Sequence, residues 1–399
     1  MKLQDGIKVG KFNIQNRVVF QPMEACDCNL DGSPSELTEK KYFQAVESGA
    51  GLIWFEANAV VQEGKTNLRQ MSLTKENAER FRSLVSRMKE QGLKQNGYAP
   101  IMILQLTHSG RQSLTPMIMY RNEVYERKRP VTDMNIVSDE YLDALPEKYA
   151  ESARLAEQVG FDGVDVKSCH GYLLQESLSA FNRSGKYGGS FENRTKLFLN
   201  CVKAVKQAVS EDYFVTSRLG ITDMVEKPCG FGTDENNNID LTEPKKLITL
   251  LNEQGINLIN ITIGNPYFNP YVNRPYRKGL FEAPESPEVS LERFEWVEKE
   301  IKKAFPEIIF IGSGLSYYRE NLIEKSNEQI ENGVCDMVGY GRVSIAYPQF
   351  YKDYLAGKFN PNKCCVSCSK CTMLMRHGEV SGCAVFNEYY RNLFKEKIN

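Results

Sequence analysis

The chain has 399 residues, 41% of them hydrophobic and 25% charged, an ordinary globular composition with ample material for a large core. Its 50 basic and 51 acidic residues nearly cancel and neither sign forms a long block, which argues against an electrostatic footprint for nucleic acid or an anionic membrane. The N-terminal MKLQDGIKVGKFNIQNRVVF lacks the apolar run of a signal peptide and no run of about 18 apolar residues could cross a bilayer, so small-molecule chemistry in the cytoplasm is expected.

From residue 17 to about 356, short β-branched or apolar runs alternate with helical patterns, the sequence form of a parallel α/β fold. The predicted strands are RVVFQPM (17–23), LIWFEA (52–57), IMILQL (101–106), GVDVKS (163–168), YFVTSRL (213–219), LINITIG (258–264), IIFIGSG (308–314) and DMVGYG (336–341). Helical segments such as LTEKKYFQAVESG, PEKYAESARLAEQVG and EPKKLITLLNEQG lie between them, most ending at a glycine suited to a C-terminal cap. Eight such units predict a closed (β/α)₈ TIM barrel over residues 1–358, with 359–399 a separate cysteine-bearing extension.

A parallel barrel carries its active site at the C-terminal ends of its strands. Those ends hold Pro22 and Met23, Glu56 and Ala57, Gln105 and His108, Lys167 and His170, then Arg218, Asn265, Gly314, Gly341 and Arg342. IGSG after the seventh run and GYGR after the eighth place glycines where backbone N–H groups can hold a phosphate, with Arg342 adding charge. One such glycine segment is ordinarily a turn; two at these strands point to a phosphorylated cofactor or substrate.

The segments NRVVFQPM, ILQLTHSGR, CHGYLLQESLSAFNRSGKYGGSFENR, SRLG, IGSG and DMVGYGR resemble, in order, the signatures of the Old Yellow Enzyme (NADH:flavin oxidoreductase) family. The most specific piece is KYGGSFENR with the preceding HGYL. The resemblance implies an FMN-dependent oxidoreductase. Pro22, Met23 and Ala57 would line the flavin, Gln105 would bond its pyrimidine edge, and Gly314, Gly341 and Arg342 would hold its phosphate. Arg218 would face the N1 and C2 end, where a fixed guanidinium stabilises the negative charge of reduced flavin. The bland alternative for Arg218 is an exposed or salt-bridged strand-end arginine.

Ene-reductases of this family hold a carbonyl oxygen with two polar side chains three residues apart, usually two histidines or a histidine and an asparagine. Lys167 and His170 occupy those positions, and Tyr172 takes the place of the proton donor. The lysine departs from the pattern: a buried ammonium either marks an acidic substrate or pairs with a neighbouring carboxylate such as Asp165 or Glu176. Of the other two histidines, His108 is expected to support the flavin-side loop and His377 lies in the cysteine tail. GNPYFNPYVNRPY, after the sixth run, offers Tyr267 and Tyr271 as lid residues over a flat substrate, or as ordinary packing of a Pro-rich loop.

Five of eleven cysteines, Cys364, Cys365, Cys368, Cys371 and Cys383, crowd near the C-terminus, which in a cytosolic chain reads as metal ligation. Cys26 and Cys28 read as reduced thiols. The spacing of Cys365, Cys368, Cys371 and Cys383 suits either a [4Fe–4S] cluster or a structural zinc. Similarity to the iron–sulfur branch of the family, which includes dienoyl-CoA reductases, 2-enoate reductases and trimethylamine dehydrogenase, implies the cluster and leaves Cys364 as the spare thiol. Those relatives continue into nucleotide-binding domains. Here sixteen residues follow Cys383 (399 minus 383), so the expected electron donor is a separate flavodoxin, ferredoxin or reductase, with direct reduction by NAD(P)H as the competing route.

The expected activity is reduction of the C=C bond of an α,β-unsaturated carbonyl compound. Two rivals are an oxidative amine dehydrogenase of the trimethylamine type, to which an ammonium at Lys167 is unfavourable, and an electron-transfer flavoprotein without its own substrate.

Overall fold

The computed structural model describes residues 1–276 and 282–398. An antiparallel hairpin, β1 (Ile7–Val9) and β2 (Phe12–Ile14), precedes the barrel. Eight parallel strands follow: β3 (Val18–Phe20), β4 (Leu52–Ala59), β5 (Ile101–Thr107), β6 (Gly163–Val166), β7 (Phe214–Gly220), β8 (Leu258–Thr262), β9 (Ile309–Gly312) and β10 (Met337–Tyr340). They close in chain order, β10 pairing with β3 through Val338 and Val18. Each predicted run supplies one strand. The runs are apolar nearly throughout because helices cover the outside of a parallel sheet while the barrel interior takes the other face.

Serines set the starts of several covering helices. Ser35, Ser138 and Ser190 each accept the backbone N–H three residues on, opening Glu36–Glu47, Asp139–Gln158 and Phe191–Ala208. The second of these begins seven residues before the predicted PEKYAESARLAEQVG and carries Pro146 inside it.

Side chains alternate across a strand, so inward positions two residues apart stack into layers up the barrel. The lowest layer is apolar: Val19, Leu52, Trp54, Ile103, Phe214, Leu258, Ile311 and Met337 cluster with Val9 and Ile14 of the hairpin, which plugs this end. The next is a hydrogen-bonded polar layer. Gln21 and Asn260 exchange bonds of 3.0 and 2.8 Å, and Asp165 accepts from Trp54 Nε1 at 2.8 Å and Gln105 Nε2 at 2.6 Å.

One strand breaks the alternation. The pairing of β4 with β5 shifts register between Phe55 and Ala57. The shift re-aims the following side chains. Glu56 turns outward to Lys41 and to the backbone N–H of Ala25, and Ala57 faces the cavity above the barrel.

The extension forms helices Lys370–Arg376 and Glu388–Lys397 around a small cluster of Leu374, Ala384 and Phe394. Ser381 ties it to the barrel rim, its N–H donating to Ala25 O at 2.7 Å.

Candidate active site

Above the polar layer lies a cavity of about 1160 Å³ including its open mouth. Pro22, Met23, Ala57, Gln105, Lys167, His170, Tyr172, Arg218, Gly314, Gly341 and Arg342, all singled out in the sequence, line it together. The extension supplies part of its wall through Cys371, Thr372, Met375, Arg376 and Ser381.

The geometry suits a flavin. Gly314 has φ +91°, a left-handed conformation that side chains disfavour. At Gly341 a Cβ would stand 2.9 Å from Met23 Sδ, so a side chain there would press on a neighbouring residue of the cavity wall. Arg342 is buried beside them, its Nη1 donating to Pro275 O at 3.4 Å. Arg218 is buried, its Nε has no hydrogen-bond partner, and burial pulls its pKa below the ordinary value. No ion pair holds it among the described residues, so the bland reading of an exposed or salt-bridged arginine does not hold. An unsatisfied buried guanidinium is costly unless a ligand completes it. Gln105 spends an N–H on Asp165, whose pKa burial raises to about 6, and retains its carbonyl oxygen for a ligand.

Lys167 pairs with neither predicted carboxylate. Asp165 is taken by Trp54, Gln105 and the Arg218 N–H, and Glu176 forms a buried ion pair with Arg111. Instead the Lys167 ammonium lies 3.7 Å from the centre of the Tyr172 ring, and burial lowers its pKa. His170 has φ +65°, an uncommon conformation outside glycine. Burial, then the charges of Arg218, Lys167 and Arg274, drive its pKa well down, so its imidazole is neutral.

Tyr172 is 2% exposed; its hydroxyl donates to Glu24 Oε2 at 3.0 Å and lies 3.1 Å from the Tyr267 hydroxyl. Burial and then Glu24 raise its pKa, keeping the phenol protonated. Of the two lid candidates Tyr267 lines the cavity, whereas Tyr271 packs against the core. His108 lies outside the cavity wall, its Nδ1 accepting from the Gly110 N–H and its Nε2 2.9 Å from the Tyr141 hydroxyl. His377 is at the end of helix Lys370–Arg376.

Sequence reasoning overlooked Glu24, Arg274 and Arg376. Glu24 lies one residue beyond the predicted strand, and the arginines sit in segments read for tyrosines and cysteines. Among the described residues the charged groups on the wall are Lys167, Arg218, Arg274, Arg342 and Arg376 against Glu24 alone.

A second hollow of about 330 Å³ adjoins the first, with Arg342 and Cys371 in both walls. Cys365, Cys368, Cys371 and Cys383 line it together with apolar Ile345, Ala346, Val366, Ala384 and Val385. Left-handed Ser367 and Ser369 bend the chain around it. The Ser367 N–H donates to Cys365 Sγ at 3.3 Å, and backbone groups of Phe386 and Val385 reach Cys383. Among the described residues no three Cys, His, Asp or Glu side chains converge as around a single ion; the four thiols stand about the hollow. This donor set fits a cluster held at several corners. Cys364 is buried in the main core instead. Cys26 and Cys28 are buried free thiols.

The sequence model of the NADH:flavin oxidoreductase / NADH oxidase family matches residues 2–357. The chain is 28% identical over 403 aligned residues to the cinnamate reductase of Clostridium sporogenes, covering 96% of this chain and 57% of that protein. It is 27% identical over 375 residues to the NADH oxidase of Thermoanaerobacter brockii, covering 91% and 52%. It thus spans about half the length of these curated relatives. A solved 2-naphthoyl-CoA reductase complex shares the fold, with a TM-score of 0.80 at 19% identity over 98% of this chain and 58% of that one. By the family match over nearly its whole length, the chain belongs to the NADH:flavin oxidoreductase / NADH oxidase family, whose members include the Old Yellow Enzymes.

Proposed function

We propose that the protein reduces the C=C bond of an α,β-unsaturated carbonyl compound that carries an acidic group. The observation behind this reading is the convergence of Lys167, His170, Tyr172 and the unsatisfied Arg218 in one cavity. Gly314, Gly341, Arg342 and Arg218 would hold FMN, which would supply the hydride chemistry at the β-carbon. Lys167 and neutral His170 hold the carbonyl oxygen and stabilise the negative charge that develops there. Tyr172, kept protonated by burial, gives its proton to the α-carbon. The Lys167 ammonium against its ring favours the charge left on the phenol oxygen.

With Arg218 and Arg342 given to FMN, Lys167, Arg274 and Arg376 against Glu24 favour an anionic substrate, such as an enoate or acyl-CoA derivative. They disfavour the cationic amine of an oxidative dehydrogenase, and the convergence of Lys167, His170 and Tyr172 on the cavity disfavours an electron carrier without a substrate. That relatives include a cinnamate reductase is consistent with this choice. The four thiols would hold a [4Fe–4S] cluster, which supplies single-electron storage next to the flavin cradle. The donor is a flavodoxin, ferredoxin or reductase, or NAD(P)H directly. No helix among the described residues is long and apolar enough to cross a membrane, in keeping with a cytoplasmic location.

Anaerobic stopped-flow of Tyr172→Phe tests the reaction: alkene reduction should fall about 100-fold while flavin reduction is retained. Equal loss of both steps would overturn the proton-donor role. Iron and acid-labile sulfide of about four each per chain are expected on anaerobic purification; stoichiometric zinc in their place would remove the cluster.

A further inference from the structure

The proton donor faces the cavity, where a bound substrate would stand between it and the open mouth. Tyr172 is 2% exposed, and the only hydrogen-bond partners of its hydroxyl among the described residues are Glu24 and Tyr267. A donor that spends a proton each turnover must recover one. Tyr267 is a poor source, because burial and then Glu24 raise the pKa of its phenol. Glu24 is a carboxyl group with a second attachment. Its Oε2 accepts from Tyr172 and its Oε1 accepts from Thr66 Oγ1 at 2.7 Å. Thr66 is half-buried, beside half-buried Asn67, whose Nδ2 donates to Thr66 Oγ1 at 3.0 Å, and exposed Leu68.

We propose that Glu24 is a positioning and relay residue that returns a proton from the Thr66 side to Tyr172 after each turnover. The inference rests on the assignment of Tyr172 as donor. The Tyr172 O–H bond breaks as the α-carbon–hydrogen bond forms, leaving a phenolate. Glu24, protonated from water by way of Thr66, passes its proton to that oxygen and returns to the carboxylate. The net change is one water-derived proton on the α-carbon beside the hydride on the β-carbon, with flavin the reductant. Between turnovers Glu24 Oε2 also accepts the Tyr172 hydroxyl hydrogen, fixing the phenol's orientation.

Two measurements on the FMN-loaded protein and one that needs no turnover test the relay. Glu24→Ala should slow alkene reduction by at least about tenfold, and added formate, a small carboxylic acid that fits the vacated space, should restore part of the rate. The solvent deuterium isotope effect on that step should rise in Glu24→Ala and fall again with formate. In isotope-edited infrared spectra, the Glu24 carboxylate band should shift in Tyr172→Phe, which removes its donor. A wild-type rate in Glu24→Ala, a loss that formate leaves unrepaired, or an unshifted band would overturn the relay. If Tyr172→Phe itself reduces the alkene at the wild-type rate, the donor assignment falls first; if only Glu24→Ala does, the relay falls alone.

Discussion

The two ends of the barrel are built on the same strands and do opposite work. At the lower end, Ile103, Leu258 and Met337 point into an apolar layer sealed by the N-terminal hairpin. Two residues further along each strand stand Gln105, Asn260 and Gly339, and on neighbouring strands Lys167 and Arg218 face the open cavity. The lower layer removes apolar surface from water and has every reason to be tight. The upper layer holds a largely buried ammonium and a largely buried guanidinium whose Nε has no hydrogen-bond partner, an arrangement that costs stability and is retained where a ligand completes it. Stability and reactivity are thus separated by about two residues of strand.

Mutations should fall on either side of that division. The largest effect belongs below: Leu52→Ala should cost about 2–5 kcal/mol, read as a fall in the urea midpoint, with binding of FMN to the surviving folded protein unaltered. Above, Lys167→Met keeps the volume and removes the buried charge. Its thermal midpoint should equal or exceed the wild type, while KM for an unsaturated carboxylate rises about tenfold. A fall in both stability and affinity would mean that Lys167 is structural after all.

A pH-dependent effect lies between the two regions. Glu298 accepts the Ser313 N–H at 2.8 Å behind the cavity wall, and burial raises its pKa from 4.5 to about 8. Because the folded-state value is the higher one, its contribution is full below about pH 4.5 and is lost as pH rises through about 8. Glu298→Gln should therefore flatten the pH dependence of the urea midpoint across that window and be the more stable protein at its alkaline end. An unchanged slope would contradict the assignment.

Much of this was legible in the sequence, for identifiable reasons. The eight barrel strands read plainly because strands buried on both faces are nearly continuous apolar runs. The hairpin escaped notice because its two strands have three residues each, sit in a polar stretch and turn at Gly10 (φ +57°). The cavity residues were readable from their places after strand ends and from the family signatures. That Ala57 rather than Glu56 faces the cavity depends on a register shift, and no alternation rule predicts one. The partner of Tyr172 was hidden for a different reason: Glu24 is one loop residue with no periodicity, and only the folded geometry brings it 148 positions along the chain to the phenol.

The most direct test of the account is a single anaerobic turnover. The FMN-loaded protein, reduced with dithionite freed of excess, is mixed with an α,β-unsaturated carboxylate, and flavin absorbance and product are followed together. The account predicts flavin reoxidation with one equivalent of saturated acid formed per flavin. Flavin that stays reduced before every unsaturated carbonyl compound, while a small tertiary amine reduces the oxidised protein, would contradict it.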